Sequence, residues 1–152
     1  MKKLSYTLLM ALMTVVFFSC SSGNENQDDS TDTTAEVEEV SDDPMENMGI
    51  GPISSVDLAE LDDAEVAVGE ELFESKCSAC HKVDKQFVGP SMAGILERRS
   101  PEWVMNMILN PEQMVEEDPI AMELLAEYLS PMANQSLTEQ EARSILEFFR
   151  TL

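Results

Sequence analysis

The segment KCSACHK, residues 76–82, holds two of the three cysteines and the only histidine of the 152-residue chain. Cys77, Cys80 and His81 stand together in one Cys-x-x-Cys-His pentapeptide, and that cluster constrains what a fold here can be built around. Three chemistries use such a cluster. A structural zinc needs four ligands, and the third cysteine, Cys20, lies at the end of an N-terminal leader, so the fourth ligand is missing. A dithiol redox pair belongs after a strand in a βαβ setting, and the chain has no alternating strand pattern of useful length. Covalent attachment of haem c is the third chemistry. Two thiols add to the porphyrin vinyl groups, one helical turn presents both sulfurs and the next residue to the same porphyrin, and the imidazole binds iron from one face. The spacing favours this reading, with Cys77 and Cys80 as thioethers and His81 as the proximal iron ligand.

The ends of the chain set its surroundings. Residues 1–19 read as a secretory leader, with Lys2 and Lys3 before the apolar run LSYTLLMALMTVVFF. That run is shorter than the roughly 20 residues needed to span a bilayer, and a polar segment follows it. The segment FFSCSS resembles the lipobox of bacterial lipoproteins, with Phe17 where leucine is usual, and this resemblance implies lipidation at Cys20. Two or more acyl chains anchor a protein stably to a membrane surface without spanning it. Residues 20–61 are expected to form an acidic flexible tether, because SSGNENQDDSTDTTAEVEEVSDDP has too little apolar surface to offset the entropy of ordering. From Ser21 to Glu65 there are fifteen acids and no base, and the net charge of the whole chain is −21, which excludes nucleic acid as a partner.

The folded part is expected at 62–152 and all-α, with four or so short helices. Ala64–Ala79 ends at the cysteine pair. Pro101–Leu109 has Ser100 as N-cap and proline at its first position. Ile120–Leu129 follows Pro119, and Thr138–Arg150 opens on a capping box, Thr138 with Glu141. About 90 residues of short helices enclose a thin aliphatic core, so a cofactor is expected to fill the centre.

From about residue 62 to the end the chain resembles the class I c-type cytochromes, which implies the cytochrome c fold around one covalent haem c. Gly69 and Phe73 match positions at which that family's first helix packs on its last, with Phe148 and Ile145 at the opposing positions. The segment GPSMAGILERR is similar to the family's Gly-Pro-x-Leu-x-Gly segment, with Met92 in place of leucine. By that match the Pro90 carbonyl accepts a hydrogen bond from the second nitrogen of His81, and Arg98 lies near a haem propionate. Arg98 or Arg99 as plain surface charge stays an open alternative. Trp103 is a candidate propionate donor through its indole N–H, with core packing as the other option.

With a single histidine, two imidazoles cannot bind one iron within the chain, leaving methionine, an open site or an unusual lysine. The segment PMANQSLTEQEARSILEFF resembles the family's Met-Pro-x-x-x-Leu-Thr-x-x-Glu pattern, which implies Met132 as the distal iron ligand despite Ala133 where proline is usual. Such ligation leaves no coordination position for a substrate. The expected function is therefore a lipid-anchored electron carrier on the cell-envelope or periplasmic side of a bacterial membrane, and not an enzyme. It would pass single electrons between a respiratory donor and a terminal reductase or oxidase. Its expected partners are redox proteins with basic docking patches, and a monomer is expected. Two alternatives stand beside it: a haem sensor or small haem enzyme with an open sixth site, and a fixed haem subunit of a larger respiratory complex.

Overall fold

The computed structural model describes residues 41–152. The leader, Cys20 and most of the expected tether lie outside the described residues. Five helices, with no strand among the described residues, follow in order: α1 (Asp63–Leu72), α2 (Pro101–Leu109), α3 (Pro111–Glu117), α4 (Pro119–Tyr128) and α5 (Glu139–Phe149). None of them is long and apolar enough to cross a membrane.

Helix starts follow local chemistry. Asp62 accepts from the N–H of Ala64 to open α1, and Ser100 accepts from Trp103 to open α2. Asp118 accepts from Ala121 to open α4, with proline at the first position as in α2. Thr138 and Glu141 exchange both bonds of a capping box at α5. Helix α3 was not anticipated. Asn110-Pro111 reads as a loop signal, but proline at the first helical position starts a helix as readily as it ends one.

Helices α1 and α5 cross in backbone contact at Gly69. A Cβ there would collide with the carbonyl oxygen of Ser144 and meet Phe148 Cβ at 3.0 Å. Beyond the crossing, Phe73 meets the rings of Phe148 and Phe149 at 5.6 and 5.7 Å between centroids. Ile145 shares the buried core with Phe73 and lines the interior cavity with it, and Val68, an expected apolar position of α1, is about half exposed.

The expected tether ends sooner than residue 61. Residues 43–58 form an irregular strap bound to the domain, opening on a turn at Asp43–Asn47, with Asn47 fully buried and Ile50, Ile53 and Val56 packed on the core. Polar side chains from the helices hold it. Asn106 Nδ2 donates to the carbonyls of Met48 and Ile53 at 2.9 and 2.8 Å, and its Oδ1 accepts from the Ile53 N–H at 3.0 Å. The Ser100 hydroxyl donates to the Asn47 carbonyl at 2.5 Å. Composition missed the strap because the partners that order it, the polar side chains of α2 and the core on which Ile50, Ile53 and Val56 pack, come from elsewhere in the chain.

Candidate functional site

The cysteine pair sits where α1 changes pitch. After Leu72 the helix widens into one π turn, Phe73–Cys77, closed by Ser78 N–H donating to the Phe73 carbonyl at 3.0 Å. Single π turns recur at functional sites because they re-aim side chains without ending the helix. The N–H groups of Cys80 and His81 then both donate to the Cys77 carbonyl, at 3.0 and 2.9 Å. The pair therefore closes a helix and leads straight into the imidazole.

A returning loop fixes that imidazole. Gly89 N–H donates to the Cys80 carbonyl at 2.9 Å, Met92 N–H to Lys82 at 3.0 Å and Ala93 N–H to Val83 at 2.8 Å. These bonds bring the Pro90 carbonyl to 3.1 Å from His81 Nδ1. With Nδ1 as the N–H donor, Nε2 is left as the free acceptor of the ring. Gly89 lies against the ring face: a Cβ there would stand 2.6 Å from His81 Cε1. Arg98 holds the loop from outside, its Nη1 donating to Ala93 O at 2.8 Å and Nη2 to Ser91 O at 3.0 Å.

All these groups face one cavity of about 290 Å³. Cys77, Cys80, His81 and Pro90 line one part of it, and Met132 with its neighbours Pro131 and Ala133 another. Its walls are otherwise largely apolar, including Phe73, Met92, Ile95, Val104, Ile108 and Ile145. Three methionines reach it, Met92, Met107 and Met132. Met107 belongs to α2 and Met92 to the loop just after Pro90, whereas Met132 sits in the irregular segment between α4 and α5.

The Cys77 thiol is not tuned as a reactive thiolate. Burial, reinforced by Cys80, pushes the Cys77 thiol up from 9.0 to about 11, whereas reactive cysteines in Cys-x-x-Cys pairs are depressed. Among the described residues no group of three or more His, Cys, Asp or Glu side chains is arranged to hold a metal ion.

Arg98 and Trp103, the residues expected near the propionates, both line the cavity. Both terminal nitrogens of Arg98 bond the loop carbonyls, so it braces the site. The Trp103 ring lines the cavity, but its indole N–H donates to Asp118 at 3.0 Å, so that donor is already engaged. Arg99, left open in the sequence, lines the cavity and keeps a buried Nε without an acceptor among the described residues. Its guanidinium lies 5.3 Å from the Trp103 ring centre. The sequence left Arg99 open as surface charge and did not single out Asp118, which bonds the cavity-lining Trp103 without lining the cavity itself.

Thiols, an imidazole with one nitrogen fixed, a thioether, apolar walls and an orphaned Arg N–H in one cavity fit a covalently held porphyrin with carboxylate arms. Site and fold together define a small all-helical haem-binding class. The chain matches the cytochrome c family over residues 66–152, more than half its length, and belongs to that family. The family binds one covalent haem c, and the cysteines of its attachment region are in place here. Cytochrome c from Rhodothermus marinus is a structural relative at 40% identity, covering 66% of this chain and 88% of that one with a TM-score of 0.65. An engineered form of that cytochrome matches at 39% identity, 66% and 89% coverage and a TM-score of 0.64. Cytochrome c2 of Rhodopseudomonas palustris is 44% identical over 36 residues, which is 24% of this chain and 31% of that relative.

Proposed function

We propose that the chain is a mono-haem electron carrier, with Cys77 and Cys80 as the thioether links and His81 and Met132 as the axial iron ligands. The observation that carries this reading is the meeting of the fixed His81 imidazole and the Met132 loop on one apolar cavity. When bound, haem c supplies a reversible one-electron couple, and Met/His ligation raises its potential relative to two nitrogens. The residues do the rest. The Pro90 carbonyl orients His81 and raises its basicity. The π turn aims both thiols, and the apolar walls keep water out.

Electrons would enter and leave at the rim beside Cys80, where Phe87 and Val88 are exposed. Lys76 lines the cavity and Lys82 Nζ lies 5.3 Å from the Phe87 ring centre, and Asp84 is the sole acid along the chain between Ser75 and Leu96. The far field of so acidic a chain favours partners with basic patches, as expected from sequence. At the rim itself the local charge is reversed, which orients the encounter. Lipidation of Cys20, a membrane tether and a place on the envelope side of a bacterial cell complete the proposal. The mass of the mature N-terminal peptide tests the lipid.

The absorption spectrum of the dithionite-reduced protein, with and without carbon monoxide, tests the haem reading. A low-spin spectrum unmoved by carbon monoxide supports two strong axial ligands. A large change would favour the sensor or enzyme alternative. One observation points that way: the Met132 loop is partly exposed and bounded by non-glycine residues at positive φ, Leu129 at 52° and Ser136 at 54°. Absence of covalent haem from cells able to attach it would overturn the proposal.

A further inference from the structure

Asp118 is fully buried, and haem attachment and iron ligation make no use of it. Three N–H groups converge on its two oxygens. Asn47 Nδ2 donates to Oδ2 at 2.7 Å, Trp103 Nε1 to Oδ1 at 3.0 Å and the Ala121 backbone to Oδ1 at 2.8 Å. No Lys or Arg pairs with it; the ion pairs among the described residues both involve Glu147. Capping α4 requires only the Ala121 contact, and helix caps normally sit at the surface. A carboxylate taken out of water without a cation depends on its hydrogen bonds to offset desolvation. Two of its three donors are brought from elsewhere, one by the strap and one by α2.

Those two donors lead in opposite directions. Asn47 leads outward to the strap, where its own carbonyl is held by Ser100 and its Oδ1 accepts from Gly49 N–H at 2.6 Å. Trp103 leads inward: its ring lines the cavity, and Arg99 lies against it with its buried Nε free of any acceptor among the described residues. Burial depresses the Arg99 pKa while Asp118 acts to raise it, so the two charges sense one another.

We infer that the strap belongs to the cofactor site: Asn47 offsets the charge of Asp118, and Asp118, through Trp103 and Arg99, sets the electrostatic wall that tunes the reduction potential. The inference rests on the haem reading above. Asp118 is a positioning residue and touches no reacting atom. A negative charge behind a water-poor wall favours the oxidised, more positive cofactor. Neutralising it raises the potential. Removing the Asn47 donor leaves the charge less compensated and lowers the potential.

Opposite signs make the test. Spectroelectrochemical titration is carried out on the full mature chain with haem attached, as wild type, D118N and N47A. Asparagine at 118 still offers an oxygen to Trp103 and Ala121 but turns its NH2 toward Asn47 Nδ2, so D118N removes the charge together with the Asn47 bond. At the ambient potential where the wild type is half reduced, D118N is expected mostly reduced and N47A mostly oxidised, with unchanged reduced spectra. Trp103→Phe keeps an aromatic ring at the wall and removes the other donor, so it shifts the potential downward like N47A and stands in if that variant does not accumulate. A clamp with only a structural role would move all variants in the same direction by admitting water, or lower Tm and move no potential. Either result overturns the inference. Wild-type protein lacking haem would instead sink the preceding reading.

Discussion

Gly69 on α1 lies against the carbonyl oxygen of Ser144 on α5, so closely that a single added Cβ would overlap it. Glycine inside a helix ordinarily costs up to about 1 kcal/mol relative to alanine. Here that cost is outweighed, because the obstructing atom is backbone and cannot rotate away. Gly69→Ala is therefore expected to lower stability of the haem-bound protein by about 1–3 kcal/mol, measured by guanidinium unfolding. A neutral or stabilising effect would mean the two helices cross more loosely.

Gly89 has the same role toward the imidazole. In Gly89→Ala the new methyl would stand 2.6 Å from His81 Cε1 and 3.0 Å from Nδ1, displacing the ring from the Pro90 carbonyl. Loss of a hydrogen bond of this kind costs about 10–100-fold in metal affinity or activity. The expected outcome is lower haem incorporation and a higher reduction potential, because an unbraced imidazole donates less to ferric iron. Unchanged potential and yield would show that the ring does not depend on this contact.

Met132→Ala tests the proposed distal ligand directly. The variant is expected to attach haem through Cys77 and Cys80, to become high-spin and to bind carbon monoxide when reduced. Met107→Leu and Met92→Leu also face the cavity and serve as controls that keep the low-spin spectrum. If Met107→Leu gave the carbon monoxide-binding form instead, the ligand would lie on α2.

The strap makes a prediction about the domain boundary. Asn106 is buried and makes three bonds to residues 48–53. Asn106→Ala is expected to cost about 2–3 kcal/mol, near the sum left by unmade buried bonds. It should also open residues 43–58 to protease before the helices are cut. A chain beginning at residue 62 should be less stable than one beginning at 41. Equal stability would make residues 43–58 an ornament on the fold.

At the start of α5, hydrogen bonds from the Thr138 backbone and then its hydroxyl hold the Glu141 carboxyl below its ordinary 4.5. A carboxyl depressed in the folded state stabilises above its unfolded pKa, and that contribution is lost as pH falls through the folded value. The Tm gap between wild type and Glu141→Gln should therefore be largest near neutral pH and close progressively below about pH 4.5. A gap that persists or widens in acid would contradict the capping box as its source.

Much was legible in the sequence because it depends on neighbours along the chain. The Cys77–His81 spacing, the capping box, the prolines that open α2 and α4, and the lack of strand patterning all act within a few residues. The interruption of α1 by a π turn, the use of Arg98 as a brace and the diversion of the Trp103 N–H to Asp118 were not legible. Each involves an acceptor or a crowded backbone supplied by tertiary contact. The strap is the clearest case: by composition residues 43–58 cannot order themselves, and in the structure Asn106, Ser100 and Asp118 hold them. Local chemistry by itself determined the haem-attachment motif, the helical class and the ends of most helices, since those energies are set over one or two turns. Tertiary structure alone decided where the ordered domain begins and which polar groups face the cavity, because a buried donor or acceptor takes whatever partner the packed helices bring to it.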